Sequence, residues 1–361
     1  MYYVFIGIIV LLAIVVGTLV YRIKGNNKEE YPGNLLISSG IGLIISAFPG
    51  VSDTLINIIV IWIKVEISSN KYEMYIRIIC GFALIILGFL YGKNIKDRFY
   101  VLNLFSKDKI YIGQEPNSKD LGLVDFKIRE HTVDIIRAFN EGRNISPTIC
   151  KYIVEEIKEK CECFMNQSKE WNKGFTGMAP IPFTILAGTF IAGTEINRYF
   201  EYDKFKKRFY ELKRKKFSRK FAELIIDEAV NKTDSTDVIV TVGITREPLD
   251  SDLVQFGTMD TVSIGLQEPN DNVIKYKEQL DSYTEQIIRE LEKLTSSYPN
   301  LERIHLVAVI PSCVSIELGR LIEKDRNRLP KIISYHYIRD NEPRYAFGVV
   351  VTEDEKGKLI V

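Results

Sequence analysis

The chain has 361 residues, enough for two domains that each bury a core, and its formal net charge of +1 with 46% hydrophobic residues would on average describe an ordinary soluble protein. The averages conceal a division: apolar residues crowd the first 92 positions, where charges are sparse, and charges are dense afterwards. Cys80, Cys150, Cys161, Cys163 and Cys313 form an odd set without framework spacing, which argues against a disulfide scaffold, and Cys161-Glu162-Cys163 has no second Cys or His pair to complete a metal site.

Tyr2 to Val20 is an almost unbroken apolar run, long enough to cross a hydrocarbon core of about 30 Å as a helix. No basic residue precedes it and further apolar segments follow, which argues against a cleaved signal peptide. Leu35 to Phe48 is a second stretch, rich in small residues (Ser38, Ser39, Gly40, Gly42, Ser46) that suit close helix packing or, in an oligomer, a pore-lining face. Pro49-Gly50 breaks it, Val51 to Ile63 is a third stretch, and Tyr75 to Tyr91 a fourth. Lys93, Lys96, Arg98, Lys107 and Lys109 place the end of the fourth segment on the cytoplasmic side. Arg22, Lys24 and Lys28 favour an odd count of spans, whereas Asp53 beside the Pro-Gly turn favours four; three and four spans both remain open. Asp53, Lys64, Glu66 and Arg77 fall near the expected interfaces, where rings of charge in an oligomer select or gate ions.

Residues 93–145 read as a linker and the start of a cytosolic region, and residues 146–361 as an α/β domain. Ser146 and Pro147 open an amphipathic helix to Met165. Ile181 to Leu186 reads as a buried strand, and Phe205 to Val230 as a long helical region. Val238 to Ile244 and Ile304 to Ile310 are continuous apolar runs of the kind buried on both faces of a parallel sheet. Thr261 to Leu266, Ile332 to Tyr337 and Tyr345 to Val351 read as strands, and Val273 to Leu294 and Ile316 to Glu323 as helices. The run from Ile181-Pro182 through Gly188 echoes that from Ile310-Pro311 through Gly319, and each precedes a tyrosine-rich strand, Tyr199 to Asp203 and Ser334 to Tyr337. Two echoes in one order suggest duplicated Rossmann-like halves.

In open α/β sheets, ligands bind beyond the carboxyl ends of the strands, where helix N-termini favour phosphate. Pro311, Ser312, Cys313 and Ser315 occupy such a strand-to-helix turn, and Gly243, Thr245 and Arg246 leave a second strand in the same way, Arg246 offering a phosphate-binding fork. Thr184 lies within the first echo, and Tyr202 and Tyr337 offer rings for stacking. These ten residues are the expected ligand-binding set. No nucleophile elbow, P-loop, zinc-protease or dinucleotide motif is present, so no catalytic residue is assigned. Glu317 and His336 are the one acid-base pair that a nucleotide-degrading alternative would use. The basic run from Lys204 to Lys220 reads as a solvated face, then as a contact for anionic lipid heads, and last as a nucleic-acid contact.

Ile304-His305-Leu306-Val307-Ala308-Val309-Ile310-Pro311-Ser312, followed by Glu317-Leu318-Gly319-Arg320 and a tyrosine-rich strand, resembles the C-terminal half of a SAVED domain, and Val238 to Asp252 resembles that family's middle strand and loop. The resemblance covers roughly Thr148 to Val351. It implies an N-terminal α-helical transmembrane bundle followed by an α/β SAVED-like domain of two fused CARF/Rossmann-like halves. It also implies a non-enzymatic sensor of bacterial anti-phage (CBASS) signalling that needs no cofactor and takes a cyclic di- or trinucleotide as ligand. The implied partners are a lipid bilayer and further copies of the chain, with no DNA or RNA polymer. The implied place is the bacterial inner membrane, crossed several times, with the C-terminal domain in the cytoplasm and ligand binding opening or disrupting that membrane.

Overall fold

The computed structural model describes residues 31–46, 71–94, 97–106, 109–136, 145–214, 221–228, 234–352 and 355–361. The chain divides into two compact units, Met1–Asp97 and Arg98–Val361. The apolar runs Tyr2 to Val20 and Val51 to Ile63 lie outside the described residues, as do Asp53, Lys64 and Glu66.

The first unit contributes helices α1 (Tyr31–Ser46) and α2 (Lys71–Asn94). They approach through glycine: a Cβ on Gly40 would stand 2.4 Å from the Gly81 carbonyl oxygen, and one on Gly81 2.5 Å from that of Gly40. Of the small residues read from the sequence, Gly40 serves this backbone contact, whereas Gly42 faces open space. Ile79, Phe82, Ile86, Leu87, Phe89 and Leu90 of α2 are exposed. Among the described residues, no helix combines the length and the apolarity needed to cross a membrane.

The second unit holds two sheets. Strands β1 (Asp97–Phe105), β2 (Phe126–Asp134), β3 (Asn172–Met178), β4 (Arg198–Asp203) and β5 (Arg208–Glu211) form the first, in the order β2-β1-β3-β4-β5. Strands β6 (Ile225–Glu228), β7 (Asp237–Gly243), β8 (Asp260–Gly265), β9 (Arg303–Val309), β10 (Lys331–Tyr337), β11 (Tyr345–Val350) and β12 (Leu359–Ile360) form the second, in the order β12-β11-β10-β9-β7-β8-β6. A short helix, α3 (Glu115–Asp120), lies between β1 and β2. The larger helices are α4 (Pro147–Gln167), α5 (Ile181–Phe190), α6 (Lys277–Ser297) and α7 (Ser312–Lys324).

The internal duplication is written in this order. The run β8-β7-β9-β10-β11 repeats β2-β1-β3-β4-β5. In each half three parallel strands are followed by an antiparallel one: β1, β3, β4 then β5, and β7, β9, β10 then β11. Helices α4 and α6 are each 21 residues long, and β3 and β9 each seven. The halves meet where α5 crosses α7. A Cβ on Gly188 would lie 2.2 Å from the Ile316 carbonyl oxygen, and one on Gly319 1.9 Å from that of Ile185. Each glycine is the eighth residue of its helix. The true correspondence therefore sets Pro180 against Pro311, two residues away from the match read in the sequence.

Local chemistry explains the helix edges. The Ser146 hydroxyl accepts from the Ile149 N–H at 3.3 Å and Pro147 fills the first turn of α4. Cys150, Ile153, Ile157, Cys161 and Phe164 then recur at helical spacing and are buried. Leu280, Tyr283, Ile287, Leu291 and Leu294 do the same for α6. At about 1.5–3 kcal/mol for each large apolar side chain buried, these two stripes anchor the core shared by both sheets.

Two expected elements are corrected. Ile181 to Leu186 is the start of helix α5, because Pro180 caps it and Pro182 suits its first turn. The strand lies just upstream, in Asn-Lys-Gly-Phe-Thr-Gly-Met, where Gly174 makes room for the rings of Phe99 and Phe200. Phe205 to Val230 is no long helix. Asp203 accepts from the N–H groups of Phe205 and Lys206, both at 3.0 Å, Lys207 takes a positive φ of 49°, and the chain returns as β5 antiparallel to β4. Ile225–Glu228 pairs with β8.

Candidate functional site

The carboxyl ends of β7 and β9 are tied together by one oxygen. The Val309 carbonyl accepts the N–H groups of Ile244 and Thr245 and the Thr245 hydroxyl, each at 3.1 Å. Gly243 ends β7, and Arg246 beyond it is exposed, with no ion-pair partner among the described residues.

Pro311 caps α7 and Ser312 opens it. The acceptor at this helix N-terminus is a carboxyl group of the chain itself. Glu201 Oε1 accepts from Ser312 Oγ at 2.8 Å and from the Cys313 N–H at 2.5 Å. Glu201 comes from β4, so this contact joins the carboxyl edges of the two halves. Burial pushes its carboxyl pKa up, partly countered by the bonds from Cys313 and Ser312. Burial and the adjacent carboxylate likewise push the Cys313 thiol well up. Ser315 and Thr184 hold matching places in α7 and α5, and each hydroxyl donates back to the capping proline carbonyl, at 3.1 Å to Pro311 and 3.2 Å to Pro180. Both hydroxyls are buried and engaged.

The expected residues therefore divide. Gly243, Thr245, Arg246, Pro311, Ser312 and Cys313 gather at the carboxyl edge of the second half. Thr184 and Ser315 support the helix starts. Tyr202 and Tyr337 point elsewhere by strand alternation. Tyr202 packs edge-on to Phe209 at 5.2 Å, on the face opposite Glu201, and the partly exposed Tyr337 meets Tyr345 at 5.5 Å.

Three groups at this edge were not singled out in the sequence: Glu201, Tyr210 and Lys275. The segment between β8 and α6 crosses the edge as a strap. Its Asn270 N–H donates to the Ile244 carbonyl at 3.2 Å, and its Ile274 carbonyl accepts from Tyr210 Oη at 3.3 Å. Lys275 Nζ sits 4.2 Å from the centre of the Tyr210 ring, and burial lowers its pKa. Burial, then Glu201, raises that of the Tyr210 phenol. A glutamate inside the apolar strand Arg-Tyr-Phe-Glu-Tyr-Asp was the available signal, since a buried carboxylate demands donors.

Register places His336 opposite Glu201 in the duplication. Gly174 pairs with Arg198 and His305 with Ile333, so three residues on, Glu201 corresponds to His336. Burial lowers the His336 pKa to about 4, and its ring lies 5.2 Å from Phe347. Glu317 is held by Arg320 at 2.5 Å. The acid-base pair of the degradative alternative is thus drawn to other partners. Among the described residues no group of three or more His, Cys, Asp or Glu is placed to hold a metal.

The sequence matches the family SAVED, "SMODS-associated and fused to various effectors sensor domain", over residues 157–351. Among solved structures, the Acinetobacter baumannii Cap4 SAVED/CARF-domain containing receptor with the cyclic trinucleotide 2'3'3'-cAAA is similar at 13% identity and a TM-score of 0.48, covering 84% of this chain and 67% of that one. The same receptor with 3'3'3'-cAAA gives 13% and 0.47 over the same shares. The Moraxella osloensis Cap4 receptor gives 12% and 0.41, covering 75% of this chain and 56% of that one. No curated protein matches the sequence.

Proposed function

The chain belongs to the SAVED family, whose match takes up more than half of it, and from that premise we propose that its duplicated unit senses a cyclic di- or trinucleotide and drives a membrane effector formed by the N-terminal helices. The observation that carries the reading is the Glu201 bridge. One carboxylate of the first half sits on the helix N-terminus of the second, beneath a strap that touches both. A ligand seated there contacts both halves at once. Its phosphates meet the exposed Arg246 fork, while the buried Glu201 and Cys313 hold the half-buried Ser312 turn in place beneath.

Ligand binding shifts the protein only if the ligand prefers one arrangement of subunits over another. Homo-oligomer assembly supplies that arrangement. The exposed apolar side chains of α2 support a bilayer as the surroundings of the first unit, in a bacterial inner membrane with the sensor on the cytoplasmic side. The test is calorimetry on the full chain with a panel of cyclic di- and trinucleotides. One member binds, and Arg246→Ala weakens it by about tenfold, the loss of one charge-assisted contact. Unchanged affinity in Arg246→Ala sinks this site. Nucleotide recovered intact after long incubation separates the sensor from the degradative alternative.

A further inference from the structure

We propose that the amino edge of the first half holds a second ligand site, one that binds a phosphate ester. It is a cleft of about 550 Å3 between the start of β4, the end of β5 and the start of α6. That volume falls within the range of small-molecule sites, about 300–1,000 Å3. It lies at the amino end of β4, three residues before Glu201, where the strap runs out into α6, and goes beyond the proposed sensor site.

Arg198, Lys213, Arg214 and Lys277 line the cleft, with Asn172, Asn197 and a single carboxylate, Glu211. Arg198 is already committed. It forks onto Glu211 at 2.6 and 2.5 Å and lies 5.4 Å from the rings of both Phe99 and Phe200. Glu211 is thereby occupied as well. Lys213 and Arg214 are exposed, and no ion pair is found for either among the described residues. The Lys213 backbone is pinned: its N–H donates to the Lys275 carbonyl at 2.9 Å, and its carbonyl accepts from the Lys277 N–H at 3.0 Å. Lys277 opens a 21-residue helix and, like Arg198, is already committed, to Asp281 at 2.5 Å and to the Tyr199 ring at 5.0 Å, which leaves Lys213 and Arg214 as the cations of the cleft with no ion pair among the described residues.

The duplication shows what such an edge otherwise requires. In the second half the chain closes its own edge: β12 pairs with β11, and Glu355 meets both Lys331 and Lys358. The first half has a surplus of cations. Between Lys204 and Lys220 there are ten Lys and Arg against one acid, Glu211. A phosphate fits this chemistry: the Arg214 guanidinium is a fork for its oxygens, Lys213 is a point charge, and the asparagine amides suit the polar part of an ester.

The experiment uses the full chain in phosphatidylcholine nanodiscs, titrated with inorganic pyrophosphate. Wild type binds, binding weakens as salt rises, and Lys213→Glu with Arg214→Glu weakens it at least about tenfold. Lys213→Gln with Arg214→Gln, which removes both charges without adding repulsion, weakens it at an unchanged melting temperature. Arg246→Ala leaves pyrophosphate binding as in wild type. If phosphatidylglycerol discs compete with pyrophosphate, the occupant is a lipid headgroup; if they do not, it is a soluble phosphate ester. No pyrophosphate binding in wild type, or equal binding in the charge-reversed variant, overturns the site. Loss of cyclic-trinucleotide binding in that variant overturns the separation of the two sites.

Discussion

Glu201 and Asp237 are carboxylates in strands, and their surroundings drive them in opposite directions. For Asp237 burial acts upward, yet the bonds from Arg303, His305 and Thr236 together hold it well below the ordinary range. For Glu201 burial wins over two donors, and its pKa rises. Folded Glu201 therefore keeps its proton to a higher pH than the unfolded chain does. Its contribution to stability is fully present below the ordinary glutamate value of about 4.3 and fades as pH climbs through the raised one. Glu201→Gln keeps an acceptor but cannot titrate. Melting curves should show wild type gaining on Glu201→Gln as pH falls from neutral to about 4.5; parallel curves reject the assignment. Glu201→Ala leaves the Cys313 N–H and the Ser312 hydroxyl without an acceptor and should cost about 1–3 kcal/mol, measured by denaturant unfolding. Asp237→Asn acts with the other sign: wild type should lose its advantage on acidification as the carboxylate held by Arg303 and His305 is protonated.

At the scale of elements, the crossing of α5 over α7 fixes the halves to each other. A methyl group at Gly319 would strike the Ile185 carbonyl oxygen, which is backbone and cannot rotate away. Gly319→Ala should destabilise the sensor by about 1–3 kcal/mol or more, and Gly188→Ala by a similar amount, read as lowered melting temperature. Much of this level was legible beforehand. β7 and β9 announced themselves as unbroken apolar runs, and α4 and α6 as apolar stripes; α4 starts where Ser146 and Pro147 set it, whereas α6 begins at Lys277, four residues after the expected Val273, with no side-chain cap. β3 was hidden because the Phe99 and Phe200 rings demand a glycine where a strand usually carries a branched residue. β5 was hidden because Phe209 and Leu212, three apart, imitate one helix face while facing two different cores. The site was legible where it followed strand ends and hidden where it came from across the molecule. No local pattern tells that Glu201 would travel to Ser312, 111 residues away.

For the whole molecule, the proposed sensor makes a linkage prediction. A cyclic nucleotide at a hundred times its Kd should add about 2.7 kcal/mol to the stability of the second unit. Arg246→Ala should reduce that gain at fixed ligand concentration. Ion or dye flux from vesicles carrying the full chain should rise with the same ligand and concentration; a ligand that stabilises the protein yet leaves the vesicles tight would reduce the first unit to an anchor. The correspondence of Glu201 with His336 carries one more consequence. A receptor assembled from two identical chains presents mirrored chemistry to its ligand and cannot tell one way round from the other. In the proposed sensor the fused copies differ at this register position, an acid in the first half and an imidazole in the second. A ring of identical units loses its symmetry on entering such a receptor, and a ring with one odd linkage or base gains a preferred way to sit. Under the proposed function, one such difference between the copies is enough to turn a symmetric cradle into one with a handle.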